Sequence, residues 1–291
     1  MTLPWIQLAH AFCLKVSGRD ARRYLHNRLS NDIRSLAPGE AIQAAALSAQ
    51  GRVEGLFSVL CLDEESFVLI SDGGDRTAIQ AALGRFIVAD RVMIGDMAPP
   101  SFVVHLGGDA ASELREKLEL IGAYVCSFPS RRISDRGMHI VLQQVAYSAA
   151  CECLREYCGE PLDDNQYGCM RWLAGIPTYP EEVNQEVILT ECGMLEAVSF
   201  QKGCYVGQEV IERSDAVGRL PRTLERILLK GLKPIARGAN VNDSSGGTLG
   251  KVLSAVTASD RDEVYLFTLL RSGKYGRGDS VSCEGISGII V

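Results

Sequence analysis

Apolar positions along the chain change their period several times, and each change marks an element. Ala11–Val16 alternates as a strand does, and Ser17–Leu29 follows as a helix with Ser17 as its cap, carrying Ala21, Tyr24, Leu25 and Leu29 near i, i+3, i+4, i+8. Val53–Leu62 and Ser66–Ser71 read as strands joined by the polar turn Asp63–Glu65. Asp75 opens a helix with Ile79, Leu83 and Phe86 on one face, and Arg91–Met97 is a further strand ended by Pro99–Pro100. After that proline pair a second α/β segment begins: a strand over Phe102–Leu106, a helix capped by Asp109 and carrying Leu114, Leu118 and Ile121, and a strand over His139–Val145. Helices then cover Ser148–Cys158, stopped by Gly159, and Tyr167–Ala174, ended by Gly175 with Pro177 beyond. From Leu224 the pattern is all short strands: Leu224–Leu229, Leu249–Thr257, Glu263–Leu270 and Val281–Val291, separated by turn-rich stretches. The expectation is an α+β chain with an α+β region over residues 1–220, its second subdomain at about 100–165, and a small β-barrel or sandwich over 221–291.

The totals change this picture little. With 291 residues, 46% apolar and 23% charged, the chain can bury sizeable cores without staples. A net charge of −6 argues against direct nucleic-acid binding. Arg19, Arg22, Arg23 and Arg28 read as a solvated helix face. No stretch of about 20 apolar residues predicts a membrane span. No signal peptide is visible in Met1–His10, so a cytoplasmic location is expected. The ten cysteines have no CxxC pair and read as free thiols, with Cys13, Cys61, Cys126 and Cys283 inside apolar runs.

Chemistry concentrates in Phe200–Arg213, FQKGCYVGQEVIER. Gly203 and Gly207 bracket Cys204 in what reads as a tight loop, and Val206–Arg213 has helix-forming composition. A helix N-terminus and a nearby cation, here Lys202, favour the thiolate form of a cysteine, suited to nucleophilic attack or soft-metal ligation. The alternative is one more inert cysteine among ten. One thiol cannot enclose a metal, so a cluster would need a partner or an exogenous ligand.

Lys202–Glu209, KGCYVGQE, resembles the signature K-G-C-[FY]-x-G-Q-E of the folate-binding YgfZ family, relatives of the glycine-cleavage T-protein. The likeness extends through Gly18, Asp20, Ala21, Tyr24 and Leu25, Asn31–Asp32, Gln50–Gly51–Arg52–Val53, Arg171 with Gly175–Ile176–Pro177, and Leu195–Phe200. It implies a T-protein-like ring of domains around a folate cavity, closed by the C-terminal barrel. It also implies tetrahydrofolate binding and a role in assembling or repairing iron–sulfur enzymes, tRNA-thiolating ones included. Under it Cys204 is the functional thiol with Lys202 beside it, and Cys204 is a ligand of a transient cluster shared with a partner. Tyr167, Arg171, Asn31, Asp32, Tyr205, Gly207, Gln208 and Glu209 are the expected cofactor contacts, with Tyr167 stacking on the pterin. The implied partners are an A-type iron–sulfur carrier or scaffold and client iron–sulfur enzymes.

Departures from the family pattern bear on chemistry. Leu56 stands where T-proteins carry a catalytic Asp, and Leu173 where they carry a Glu before the GIP-like turn. Both argue against the alternative, a folate-dependent aminomethyltransferase or demethylase, unless Glu54 or Asp32 stands in. Val217–Gly218 replaces an Arg-Gly pair, with Arg213 or Arg219 as substitute charge. Cys151, Cys153 and Cys158 lack the ligand company a metal site needs, and Gly246–Lys251 fails as a P-loop because Val252 follows the lysine. The histidines His10, His26, His105 and His139 are scattered and form no ligand motif.

Overall fold

The computed structural model describes residues 3–109, 112–216, 218 and 220–291. In chain order the elements are β1 (Trp5–Gln7), β2 (Phe12–Ser17), α1 (Ala21–Arg28), β3 (Ala41–Leu47), β4 (Val53–Cys61), β5 (Ser66–Ser71), α2 (Arg76–Gly84) and β6 (Met93–Asp96). They continue with β7 (Ser101–Leu106), α3 (Ser112–Leu120), β8 (Tyr124–Pro129), β9 (Met138–Gln143), α4 (Tyr147–Cys158), α5 (Asp164–Ala174) and α6 (Gln208–Ala216). The chain ends in β10 (Arg222–Lys230), β11 (Asn240–Asp243), β12 (Thr248–Ala258), β13 (Glu263–Arg271), β14 (Ser280–Cys283) and β15 (Ile286–Ile290).

Alternation within the strands decides how these elements stack. The first sheet, β3-β4-β5-β2-β6, is antiparallel and buried on both faces. Phe67 and Leu69 of β5 join the core under α1 and α2, whereas Val68 and Ile70 face Ile6, Val103, Phe128 and Val141 of the second sheet. That second sheet, β1-β7-β9-β8, carries α3 and α4 on its far side through Leu114, Leu118, Ala150 and Leu154. The result is four layers: helices, sheet, sheet, helices. The third unit is a closed six-stranded barrel in the order β10-β13-β12-β11-β14-β15, filled by Ile227, Leu229, Val252, Leu266 and Leu270. No described helix is long and apolar enough to cross a membrane.

Several expectations are corrected. Helix α1 starts at Ala21 with Asp20, not Ser17, at its N-cap, because Gly18 at φ +129 turns the chain first. Its arginines are only in part a solvated face: Arg19 and Arg23 are exposed, but Arg22 and Arg28 turn inward. Arg28 is buried, donating to Leu47 O at 2.9 Å and Glu54 Oε2 at 2.7 Å, and Arg22 Nη1 donates to Leu36 O at 2.7 Å. Val281–Val291 is two strands, broken by Glu284 and Gly285, both at positive φ. Strands β1, β3, β8 and β11 were not read from the sequence. The helix assigned to an Asp109 cap begins at Ser112, with residues 110 and 111 outside the described ones. Asp75 does cap α2, accepting from Ala78 N at 3.0 Å.

Candidate functional site

Helix α5 is cut to length by its ends: Asp163 and Gln166 form a capping box, and Gly175 at φ +70 stops it. Tyr167 and Arg171, one turn apart, therefore share a face and line a cavity of about 460 Å³. All units of the molecule contribute walls: Ile6 and Leu8 from the N-terminal segment, Asp72–Gly74 after β5, Thr178–Glu181, and Ser254, Tyr265 and Phe267 of the barrel. Gly74, at φ +98, lets the backbone approach Tyr179, whose Cε1 would lie 2.6 Å from an added Cβ.

Buried charge fixes this geometry. Arg171 Nη1 and Nη2 donate to the Glu182 carboxylate at 2.9 and 3.2 Å, and Thr178 N adds a bond at 2.8 Å. Ser254 Oγ of β12 donates to the same carboxylate, so one buried anion ties α5, the following segment and the barrel together. Trp172 of α5 stacks on Tyr265 with ring centroids 4.1 Å apart and donates Nε1–H to Leu266 O at 2.8 Å. Across the cavity Arg132 Nε donates to Asp72 Oδ2 at 2.5 Å. Burial, reinforced by Asp72, pushes the Tyr167 phenol well above its ordinary range, so it stays protonated. Arg171 Nε is a buried donor with no partner among the described residues. Near Arg132 lie His105 and His139, both fully buried, their rings 5.3 Å apart and edge-on. Burial pushes His105 down to about 2 and His139 well below its usual value, so both rings are neutral.

The signature forms a separate arrangement. Lys202 is buried, and its ammonium donates to the carbonyls of His26, Leu29 (2.5 Å) and Asn31 (2.9 Å), the group of acceptors that the end of α1 leaves open. Burial lowers it to about 8. It is therefore an anchor of the loop rather than a free cation beside the thiol. Asn31 Nδ2 donates to Gln43 O and Glu196 O, both at 2.8 Å, and Asp32 Oδ1 lies 3.1 Å from His26 Nδ1. Tyr205 is buried, its ring 4.9 Å from Lys202 Nζ, and burial pushes its phenol up to about 12. Gln208 Oε1 accepts from Tyr205 N at 3.2 Å, while Nε2 reaches Glu212 at 2.5 Å.

Two glycines interlock this loop with the β3–β4 turn. Gly207 sits at φ +85, and a Cβ there would lie 2.5 Å from Ser48 O. Gly51, at φ +71 in the Gln50–Gly51–Arg52 turn, would place a Cβ 2.8 Å from Val210 Cβ. The two sequence motifs thus press on one another. Cys204 stands exposed between these anchors, four residues ahead of α6, and Glu209 is exposed in that helix's first turn.

Of the expected cofactor contacts, only Tyr167 and Arg171 line the cavity; Asn31, Asp32, Tyr205, Gly207, Gln208 and Glu209 build the Cys204 loop and its support instead. Among the described residues no group of three His, Cys, Asp or Glu is placed to hold a metal ion. Neither leucine at the lost acid positions faces the cavity: Leu56 lies in the core under α1, and Leu173 is exposed on the outer face of α5. Glu54 is held by Arg28 and Arg85 at 2.7 and 2.8 Å. Val217 and Arg219 lie outside the described residues, and Arg213 is exposed in the last turn of α6. Sequence reading missed Asp72, Arg132 and Glu182. An Asp-Gly-Gly run closing an apolar strand was the available signal for the first; the other two have none.

No protein-family model matches the chain. An aminomethyltransferase of Exiguobacterium sibiricum is 24% identical, covering 86% of this chain and 72% of that one. An iron–sulfur cluster assembly factor IBA57 homologue, mitochondrial, of Neurospora crassa is 22% identical over 69% of this chain and 48% of its own length. A tRNA-modifying protein YgfZ of Colwellia psychrerythraea is 20% identical, covering 75% and 69%. Among solved structures, glycine cleavage system aminomethyltransferase T from Bartonella henselae superposes with a TM-score of 0.83 at 18% identity, covering 99% of this chain and 85% of that one.

Proposed function

We propose a function from one premise: the chain belongs to the aminomethyltransferase-like superfamily, in the group of proteins named YgfZ and IBA57. In this reading it is an accessory protein of iron–sulfur cluster assembly or tRNA modification. It binds a reduced folate in the central cavity and acts on partners through Cys204. The observation that carries the reading is the Cys204 loop. Its lysine, tyrosine and second glycine are all spent on anchoring, and the thiol is the one nucleophile of the signature left exposed.

The cavity suits a folate head. Its volume lies in the range of small-molecule sites, about 300–1,000 Å³. Tyr167, Tyr265 and Phe267 offer faces to a flat pteridine, Asp72 offers a carboxylate to ring N–H donors, and the unpartnered Arg171 Nε–H suits a ring acceptor. Tetrahydrofolate, when bound, supplies the N5 and N10 nitrogens that carry one-carbon groups. The protein's part is to hold the ring between aromatic walls and keep the charged pairs around it fixed. An iron–sulfur cluster is cargo in this scheme, held by Cys204 together with ligands from an A-type carrier, a scaffold or a client enzyme, since one thiol leaves most positions open.

The test is complementation of cells lacking the protein, reading the activity of a client iron–sulfur enzyme. Wild type restores activity; Cys204→Ala is expected to be present at normal levels, to bind tetrahydrofolate and to fail. Equal rescue by both would sink the thiol's role. A second reading, aminomethyl transfer, is favoured by the aminomethyltransferase relatives and by the cavity carboxylate of Asp72. It predicts methylene-tetrahydrofolate formation from an S-aminomethyl thiol donor, with release of ammonia and the free thiol, lost in Asp72→Asn. The short Arg132–Asp72 pair counts against a free base there.

A further inference from the structure

Ser254 reaches the cavity wall through an irregularity of its strand. Val252 pairs with Thr268 and Ser254 with Phe267, so Leu253 is an extra residue of β12, a bulge that re-aims the strand locally. Leu253 joins the core under α1 and α2, and its carbonyl accepts from Arg237 Nη1 at 3.0 Å. The same nitrogen reaches Glu181 O at 2.7 Å, which ties the bulge to the neighbouring wall of the cavity. The bulge settles where the Ser254 hydroxyl sits, and Glu182 settles its polarity. A carboxylate only accepts, and this one already takes Arg171 Nη1 and Nη2 and Thr178 N. Ser254 Oγ–H therefore donates to it, and no described residue donates to Ser254 Oγ in return. What this half-buried hydroxyl presents to the cavity is an acceptor. Of the other lining hydroxyls, Tyr179 donates to Glu54 O at 3.2 Å, while those of Tyr167 and Thr178 hold no hydrogen bond among the described residues and can turn to suit either polarity.

The oxidised pteridine ring has bare nitrogens at N5 and N8, and the tetrahydro ring carries hydrogen on both. N3–H and the 2-amino group are common to the two forms. The Asp72 carboxylate, whose Oδ1 is left open by the Arg132 pair, therefore meets the same donors in either. Resting on the folate reading above, we propose that Ser254 is the residue that selects the reduced ring. Its oxygen accepts from N5–H or N8–H, and in the oxidised ring it meets a nitrogen lone pair instead. The committed proton is what makes this a selection. A free serine would rotate and donate to the bare nitrogen, whereas this one would have to leave the fully buried Glu182 carboxylate short of a donor. A site built around one polarity rejects the mismatched analogue far more strongly than an apolar pocket does.

The experiment is equilibrium titration of the full chain, in oxygen-free buffer, with pterin, 7,8-dihydropterin and tetrahydropterin, and with folic acid and tetrahydrofolate. Tetrahydropterin is expected to bind about tenfold tighter than pterin, and tetrahydrofolate to exceed folic acid by a similar factor. 7,8-Dihydropterin, which has N8–H but not N5–H, joins the tight binder if N8 is read and the weak one if N5 is. Ser254→Ala should bring the tetrahydropterin-to-pterin ratio to within about threefold of one. Ser254→Thr, which keeps the hydroxyl, should hold the wild-type ratio, and Asp72→Asn should weaken every ligand with the ratio unchanged. A ratio that survives in Ser254→Ala would overturn the proposal. Should that variant fail to fold, the wild-type titration still decides, because equal binding of the oxidised and reduced rings overturns the proposal by itself. In that case the folate reading stands and only the selection by Ser254 falls. If no pterin and no folate binds, the folate reading fails and takes the proposal with it.

Discussion

Replacing Gly207 with alanine forces two costs on the loop that carries Cys204. A non-glycine residue at φ +85 costs about 1–2 kcal/mol in backbone strain alone. The new methyl carbon would also lie 2.5 Å from Ser48 O and 3.0 Å from Leu47 Cβ, so the loop or the β3–β4 turn has to retreat. Overpacking of that kind costs about 1–3 kcal/mol. The expected loss is therefore about 2–5 kcal/mol, against a change within about 0.5 kcal/mol for Gly203→Ala, whose Cβ meets nothing within 4 Å and whose φ is not left-handed. Urea unfolding followed by circular dichroism measures both variants, and alkylation of Cys204 in the native state reports whether the loop has moved. Gly203→Ala should leave alkylation and midpoint as in wild type. Equal destabilisation by the two substitutions, or none by Gly207→Ala, would refute the view that the signature is held by its interlock with the Gln50–Arg52 turn.

The buried histidines predict an acid limb. With folded pKa values depressed by burial, His105 and His139 stay neutral while the unfolded chain takes up protons below about pH 6.5. The unfolded state then binds more protons, so stability falls as pH drops, by about 3 kcal/mol for the pair between pH 6.5 and 5. His105→Leu with His139→Leu should flatten this limb, and an unchanged slope would assign it elsewhere. Glu182→Gln strands Arg171 and weakens the tie to Ser254, which predicts a loss of about 3–5 kcal/mol in urea unfolding; a loss under 1 kcal/mol would show the pair to be replaceable. On the folate reading, in which the Tyr167 ring face stacks on the pteridine, Tyr167→Ala should weaken tetrahydrofolate binding about tenfold while Tyr167→Phe stays near wild type. Equal losses in both would point to the hydroxyl.

What the sequence made legible follows from how local each signal is. Cys204, its bracketing glycines and the helix behind them lie within one short stretch, and the barrel announces itself through repeated short apolar runs. Strand β3 stayed hidden because Ala41–Leu47 carries three consecutive alanines, Ala44–Ala46, that are buried but give no alternation. Arg28 was misread for a related reason: a guanidinium is taken as solvated unless its partners are known, and Leu47 and Glu54 come from other strands. The cavity is the extreme case. Its lining comes from six separated segments, and the residues that fix it, Arg132–Asp72 and Arg171–Glu182, pair across gaps that no spacing rule spans. The same holds for Lys202, whose neighbours in sequence suggested a role beside the thiol and whose neighbours in space are carbonyls at and just beyond the end of α1.

Strand β1 gives the chain an unusual order of assembly. Trp5 pairs with Leu106 and also bonds residues near the end of α4, through Nε1 to Gly159 O at 2.7 Å and through its carbonyl to Leu162 N at 2.7 Å. On a ribosome β1 must wait for about 100 further residues, or about 5–20 s, before its partner strand exists. The first sheet, whose strands all lie between residues 12 and 96, can close in the meantime with the N-terminal residues still loose. The second sheet is a late-closing element, completed by a segment from the opposite end of its own half. A nascent chain shortened past Gln7 would thus leave β7 with a bare edge, an invitation to pair with another copy. Strand β1 is the closure that covers this edge of β7.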